Sequence, residues 1–399
     1  MIYSSYVLRK EQNMNKQKII GIIAEYNPFH LGHLYQINEI KKKYPESTII
    51  LITNSSFTQR GDITITNKWN KTTIALNHRI DLIVELPFFY ATQSADIFAK
   101  GSLEILNHLK IDILAFGSES NNLEKLTTIA KTQIENQEYQ NKVKKYLNTG
   151  INYPTALSKA LKDTIGYTTK DPNDLLGISY IKEILINNYP IKPISIKRIG
   201  SYHSKTIKNH IASASCIRKK LQNGKKIKQY LPDNTEKYIE KNLTLENYFP
   251  YLKYKILTEK DLSIYQTVEE GIENRIKNVI QYSYTWLELV KNLKTKRYTY
   301  NKINRMLIHI LTSFTKEEAK YIKNDYIRII GFNEKGKKYL NKIKKQISLP
   351  IITAYKKNVS QTLDLEYQAL SIYYLPFSKE LIFKEYQKKP IIKVAETKH

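Results

Sequence analysis

His30 and His33 stand three residues apart in the stretch Glu25-Tyr26-Asn27-Pro28-Phe29-His30-Leu31-Gly32-His33. Side chains at that spacing share one face of a helix's first turn, where two imidazoles can meet a phosphate. The position favours an anion. The first N–H groups of a helix lack partners and the macrodipole is positive there, so a phosphate is held without any special side chain. Gly32 removes a side chain that would obstruct a base or ribose. One histidine at a helix start is ordinarily a cap or a surface residue, and a short pattern acquires meaning from its structural context. Here Ile19-Ile20-Gly21-Ile22-Ile23-Ala24 reads as a buried strand. In the following Leu34-Tyr35-Gln36-Ile37-Asn38-Glu39-Ile40, the apolar Leu34, Ile37 and Ile40 recur at helical spacing. The histidine loop therefore joins a strand's carboxyl end to a helix start, which reads as a nucleotide site.

A second stretch, His210-Ile211-Ala212-Ser213-Ala214-Ser215-Cys216-Ile217-Arg218, carries two small hydroxyl residues followed by arginine. Ser213 or Ser215 can cap the next helix, and capping alone would explain a serine there. With Arg218 they make a second anion-binding helix start, able to neutralise charge on a transferring phosphoryl group. There is no Gly-x-x-x-x-Gly-Lys-Ser/Thr, which excludes a P-loop. The absence of Gly-x-Gly-x-x-Gly disfavours a nicotinamide cofactor.

Further apolar runs at 48–53, 81–86, 111–116 and 194–196 alternate with helix-patterned segments at 34–43, Lys68–Asn77 and 94–108. A longer helical insertion is expected at about 123–186. Strand alternating with helix predicts an α/β fold, a Rossmann-like parallel sheet with helices on both faces, whose ligands lie beyond the carboxyl ends of the strands. Polar clusters fall at those ends: Gln59-Arg60-Gly61-Asp62, Glu85-Leu86-Pro87, Phe116-Gly117-Ser118-Glu119 and Arg198. Taken singly each is a weak signal; their shared placement suggests one cleft.

The chain of 399 residues, 41% hydrophobic, is long enough for two domains. Residues 1–17 read as a leader outside the fold, 18–224 as the catalytic domain, and 225–399 as a mainly helical basic domain. A formal charge of +27 calls for a polyanionic partner, although abundance of Lys, Asn, Ile and Tyr together is also what A/T-rich coding produces. In the helical part Lys294, Lys296, Arg297, Tyr298, Tyr300, Lys302 and Arg305 interleave cations with aromatic rings, which suits RNA phosphates and unpaired bases. For any single one of these residues, a solvated lysine face beside core tyrosines is the more ordinary explanation. Cys216 is the single cysteine, so neither a disulfide nor a thiolate zinc site forms, in keeping with a reducing cytoplasm. The other histidines show no metal-ligand spacing, and no apolar run is long enough to span a bilayer.

With His-x-Gly-His first and Ile-Ala-Ser-Ala-Ser-x-Ile-Arg second, the chain resembles the nucleotidyltransferase superfamily of pantetheine-phosphate and nicotinamide-nucleotide adenylyltransferases and class I aminoacyl-tRNA synthetases. A narrower resemblance adds Glu-Tyr-Asn-Pro-Phe, Gln-Arg-Gly, Glu-Leu-Pro, Phe-Gly-Ser-Glu and Pro172-Asn173-Asp174-Leu175-Leu176-Gly177, all in that order. From Lys18 onward the chain is similar to the tRNA(Met) cytidine acetate ligase family. The resemblance implies activation of acetate by ATP to acetyl-adenylate, with magnesium accompanying ATP. The acetyl group then passes to the exocyclic amine of the wobble cytidine of elongator tRNA(Met), with no membrane or DNA involved. It also implies ATP contacts from Ile23 to Gln36 and at Gly117, Asn173 and Arg198. The chain departs from the family pattern at Asn54-Ser55-Ser56-Phe57, where relatives carry Ser-Gly-His-Phe. Two other readings remain open. A small-metabolite adenylyltransferase would be shorter and would not need the basic half, whereas a non-catalytic RNA-binding protein should have lost part of the nucleotide site.

Overall fold

A computed structural model describes residues 17–199, 211–377 and 379–394. The expected leader, Gln17 apart, lies outside the described residues, as do His203 and His210. Five parallel strands form the centre: β1 (Ile19–Ile23), β2 (Thr48–Asn54), β3 (Leu82–Leu86), β4 (Ile113–Ser118) and β5 (Lys192–Lys197), in the spatial order β5-β4-β1-β2-β3. The chain leaves β1 toward β2 and β3, then returns to the other side of β1 for β4 and β5. Strand order thus reverses between β1 and β4, and a crevice opens at their carboxyl ends.

The crossovers are helical: α1 (Leu31–Lys43), α2 (Lys68–Asn77) and α3 (Ala95–His108), then the insertion helices α4 (Leu123–Glu135), α5 (Gln137–Leu147), α6 (Tyr153–Ile165) and α7 (Pro172–Ile186). All seven residues of β2 are buried, as a central strand covered on both faces requires. Its side chains alternate. Ile49 and Leu51 pack with Ile37, Ile40 and Ile74 of α1 and α2 on one face, while Ile50 and Ile52 pack with Phe98, Leu103 and Ile178 of α3 and α7 on the other.

After α8 (Ala214–Gln222), a helical layer follows with α9 (Phe249–Thr258), α10 (Ile272–Ile280), α11 (Trp286–Leu293) and α12 (Tyr300–Leu311). Its apolar cluster takes in Phe57 and Phe88 from the loops beyond β2 and β3, so the two halves share a core. The chain then comes back to the sheet, which an expectation of mainly helical structure after residue 225 did not foresee. Strand β6 (Ile327–Asn333) runs antiparallel against β3. The short β7 (Ile351–Ile352) and β8 (Ile391–Lys393) pair with β6. Between them lie α13 (Glu334–Ile343), α14 (Gln361–Tyr374) and α15 (Lys379–Gln387). Strands from both sides of Gly224 therefore join in one sheet.

The return is anchored by buried charge. Arg328 of β6 reaches Glu85 of β3 at 3.0 Å and Glu385 of α15 at 2.6 Å. Lys68 of α2 meets the same two carboxylates at 2.7 and 2.6 Å, with every one of these side chains at most 1% exposed. Trp69 Nε1 donates to Glu385 at 2.9 Å. Glu85, expected at the ligand cleft with its Glu-Leu-Pro neighbours, is thus an internal partner instead. Two cations and two anions balance, but removing one member strands a charge in a dry interior. Arg328→Met should therefore lower unfolding free energy by about 3–5 kcal/mol. Urea unfolding of both proteins measures this, and a loss below about 1 kcal/mol would mean that the network adds little to holding β6 and α15 on the sheet.

Candidate nucleotide and RNA site

The loop after β1 continues the ladder for one more residue, Ala24 N–H donating to Ile52 O, and then turns sharply. Tyr26 adopts φ 47°, uncommon for a side chain of its size, and the Asn27–Pro28 peptide bond is cis. Buried contacts hold the turn. The Tyr26 ring lies 4.8 Å from Phe29 and 4.7 Å from His33, and the Asn27 amide bridges to a neighbouring segment, donating to Ile63 O and accepting from Ile65 N, both at 2.8 Å.

The two histidines do not sit side by side on the first turn. His30 precedes α1 as its N-cap, in extended conformation, and is buried. Its Nδ1 accepts the Gly32 N–H at 3.0 Å, while His33 Nδ1 accepts the His30 N–H at 3.3 Å, and the rings stack with centroids 3.8 Å apart. This is a capping box built from imidazoles. It also fixes the proton: with both Nδ1 atoms accepting, each neutral ring carries its hydrogen on Nε2, a donor suited to a phosphate oxygen. Gly32 serves the pair rather than a base or ribose, since a Cβ there would lie 2.8 Å from His30 Cε1. Burial, with the nearby Arg198 charge, pushes His30 down to about 3. Burial, His30 and Arg198 likewise hold His33 well below the usual imidazole range.

Across the crevice β4 ends in Gly117 and Ser118, and the stem of Arg198 crosses Gly117 so closely that a Cβ would meet its Cγ at 3.3 Å. Glu119 lies 3.6 Å from Arg198 Nε and accepts from the Asn173 side chain at 2.5 Å and from the N–H groups of Asn173 and Asp174 at 3.1 Å each. Asp174 returns the contact, accepting from Ser118 Oγ at 2.5 Å and from the N–H groups of Glu119 and Ser120 at 3.1 Å. Two sequence motifs separated by the whole insertion thus lock together. Gln36 ties α1 to β4, its amide 3.4 Å from Ala115 O. Gly117, Asn173, Arg198 and the histidine loop are therefore gathered at the point where strand order reverses.

The second motif abuts the first. Ile211 Cγ2 would lie 3.6 Å from a Cβ at Gly32, and Ser213 caps α8, accepting the Cys216 N–H, with Ser215 Oγ 3.1 Å away. Arg218 donates to Asn27 O at 2.7 Å and pairs with Asp62 at 2.8 Å. Its fork braces the loop that presents the histidines.

Arg305 differs from its neighbours in the basic segment. It is turned inward, donating to Gln59 O at 3.0 Å, and burial pushes it down to about 10. Gly61, at φ 72°, allows this approach of loop and α12, since a Cβ would clash with the Arg305 and Asn304 backbone. Gln59 N–H in turn donates to Glu25 Oε1 at 2.6 Å. Arg297 is exposed and pairs with Glu270 at 2.8 Å; Lys294 lies 5.7 Å from the Tyr300 ring centroid; and Lys296 O accepts from Asn152 at the start of α6. Their segment leads into α12, whose Arg305 reaches the loop after β2. One buried group escaped the sequence reading. Lys71 donates to Asn54 O and Oδ1 at 3.1 and 2.9 Å, and burial pushes it down to about 7, opposed by Glu25 and Glu366. In sequence it is one more lysine of a lysine-rich helix.

A doubly wound sheet with a stacked histidine pair at its switch point defines a HIGH-type nucleotidyltransferase, and a family profile described as HIGH Nucleotidyl Transferase matches residues 17–389. The relatives are more specific. tRNA(Met) cytidine acetate ligase of Anoxybacillus flavithermus is 38% identical over 400 residues, 94% of this chain and all of the relative, and that of Bacillus subtilis 37% over 402, 94% and 97%. The crystal structure of Thermotoga maritima TmcAL in its apo form superimposes with a TM-score of 0.87 at 26% identity, covering 95% of this chain and all of that one. The form bound to alpha-thio ATP gives 0.85 at 27% with the same coverage. The chain belongs to the tRNA(Met) cytidine acetate ligase family.

The neutral histidines carry a pH dependence. Their folded values lie below the ordinary imidazole value near 6.5, so the unfolded chain binds protons first on acidification. Stability is then full above about 6.5 and falls as the pH drops below it, by about 1.4 kcal/mol per unit for each histidine that stays neutral in the fold. Position 33 is the third residue of α1, where glutamine also completes a capping box. His33→Gln should accordingly match the native chain at pH 7.5 in urea unfolding and lose less stability than it by pH 5. Parallel declines would show that His33 titrates normally in the fold.

Proposed function

We infer that this chain activates acetate with ATP to form acetyl-adenylate and pyrophosphate, then transfers the acetyl group to the exocyclic amine of the wobble cytidine in elongator tRNA(Met). The observation that carries the reading is the stacked His30–His33 pair, with both protons on Nε2, at the switch point of a chain that matches acetate ligases from end to end. Carboxylate attack on the α-phosphate builds negative charge that preorganised neutral donors and the Arg198 guanidinium stabilise, in a crevice that shelters the mixed anhydride from water. ATP is assigned to residues 23–36 with Gly117, Asn173 and Arg198, and Ser213 and Ser215 close the phosphate end. Arg218 acts here by holding Asn27. Magnesium enters with the triphosphate. Among the described residues no group of three or more His, Cys, Asp or Glu makes a metal cage. Among the described residues no helix is long and apolar enough to cross a membrane, and a tRNA substrate assigns the reaction to the cytoplasm.

Incubation with labelled acetate, ATP and bulk tRNA, followed by nucleoside analysis, tests the whole reading: N4-acetylcytidine should form only with all three present. His33→Ala should lower acetate-dependent pyrophosphate exchange by roughly a hundredfold or more, the usual effect of losing one preorganised donor. Exchange at the native rate would make the pair purely a helix cap.

The RNA is assigned to the exposed cations beside the crevice. Replacing Lys294, Lys296 and Arg297 together by alanine should weaken tRNA binding and flatten its dependence on salt, while acetate activation continues. Arg305 is left in place because it supports the Gln59 loop. Titrations at several ionic strengths decide the matter, and equal salt slopes would move the tRNA to another surface.

A further inference from the structure

We propose that Glu25 is the general base of acetyl transfer, taking the proton from the exocyclic amine of the target cytidine; this rests on the acetate ligase reading above. In that step the amine nitrogen attacks the carbonyl carbon of acetyl-adenylate. The new C–N bond forms, the bond from carbonyl carbon to phosphate oxygen breaks, and AMP leaves with the electron pair. The nitrogen becomes cationic on attack and must lose one proton, which passes to Glu25 and from there to solvent.

The residues of the crevice leave few acceptors for that proton. Both histidines are excluded by their own geometry, since each Nδ1 lone pair is taken by a backbone N–H and each Nε2 already bears hydrogen. Of the carboxylates at the strand ends, Glu85 is taken inside the core by Lys68 and Arg328, and three more are held by protein partners. Asp62 is paired with Arg218 and also accepts the Ile63 N–H. Glu119 accepts three hydrogen bonds at the start of α7, and Asp174 accepts from Ser118, Glu119 and Ser120. Glu25 is different. Its Oε1 accepts the Gln59 N–H at 2.6 Å, which fixes the carboxylate plane, while no described residue donates a hydrogen bond to Oε2. The residue is only partly buried.

Its place also fits. Glu25 opens the nucleotide loop, and through Gln59 it is joined to Arg305 within the helix that follows the half-buried Lys294 and the exposed Lys296 and Arg297. A base swung out of the RNA would meet this carboxylate at the seam between ATP and the basic segment. Burial raises Glu25 above the ordinary carboxylate range, although Lys71 of α2, Arg60 of the β2 loop and Arg218 of α8 lie close enough to oppose the shift. Tyr180 of α7 is the other titrating group beside it. A carboxylate whose proton affinity is raised in this way is the stronger base, within the range where general-base catalysis contributes about a hundredfold or more.

The test supplies chemically prepared acetyl-adenylate and tRNA to the full chain in single turnover between pH 5.5 and 8.5. Pyrophosphate exchange is measured in parallel. The native protein should show a transfer rate that falls on the acid side. Glu25→Gln should transfer about a hundredfold more slowly with that acid limb gone, and Glu25→Asp should be slowed but keep the limb. Transfer by Glu25→Gln within threefold of native, or an acid limb unchanged in that variant, would each overturn the assignment. If the native protein itself moves no acetyl group to tRNA, it is the acetate ligase reading that fails.

Discussion

The unpaired amides at the start of the first crossover helix are the constraint on which the site depends. A helix entering directly from a buried strand leaves its first N–H groups without partners, and burying them unpaired would cost about 1–3 kcal/mol each. Here the His30 and His33 side chains take two of them through Nδ1. Because the caps are imidazoles, the same contacts that complete the helix also stack the rings, hold them neutral and aim both Nε2 protons away from the backbone. Structural and chemical roles cannot be separated at these two positions.

Much of the surrounding structure keeps that loop in place. Asn27 is clamped by the backbone at 63 and 65, Arg218 grips its carbonyl from α8, and the left-handed Tyr26 fills the space beneath the His33 ring. On the other wall, Glu119 and Asp174 cap each other's segments and set Arg198 over Gly117. Residues that a nucleotide would touch are thus supported by residues that touch only the protein, which is how a site is held to the tolerance that phosphate chemistry requires.

Charge is handled differently inside and out. The excess of +27 lies over a core in which the ionised side chains Lys68, Arg328, Glu85 and Glu385 cancel among themselves, so the buried network adds nothing to the outward field. The exposed part of the excess is free to attract a polyanion, strongest at low salt. Arg305 shows that a basic residue in a basic segment need not belong to that surface. It is turned toward the Gln59 carbonyl, where it links α12 to the loop after β2, and through Gln59 to Glu25.

Strand β2, helix α2 and the strand-to-helix setting of His30 and His33 were legible because each is written within a few residues, in apolar periodicity and turn chemistry. The order of the motifs likewise carried the family. Partners remote in sequence were not legible. Strand β6 hides in a lysine-rich context, and its place on the sheet depends on Arg328 finding Glu85, 243 residues earlier. Glu85 looked like a ligand residue, Arg305 like a phosphate contact and Gly32 like space for a nucleotide, because their types and neighbours fit those roles. The sequence by itself determined the alternating elements of the first half and the catalytic class. Which of those polar groups face the crevice and which face one another was decided only by tertiary packing, because hydrogen bonds and ion pairs are satisfied by proximity in space and periodicity reads no further than its own element.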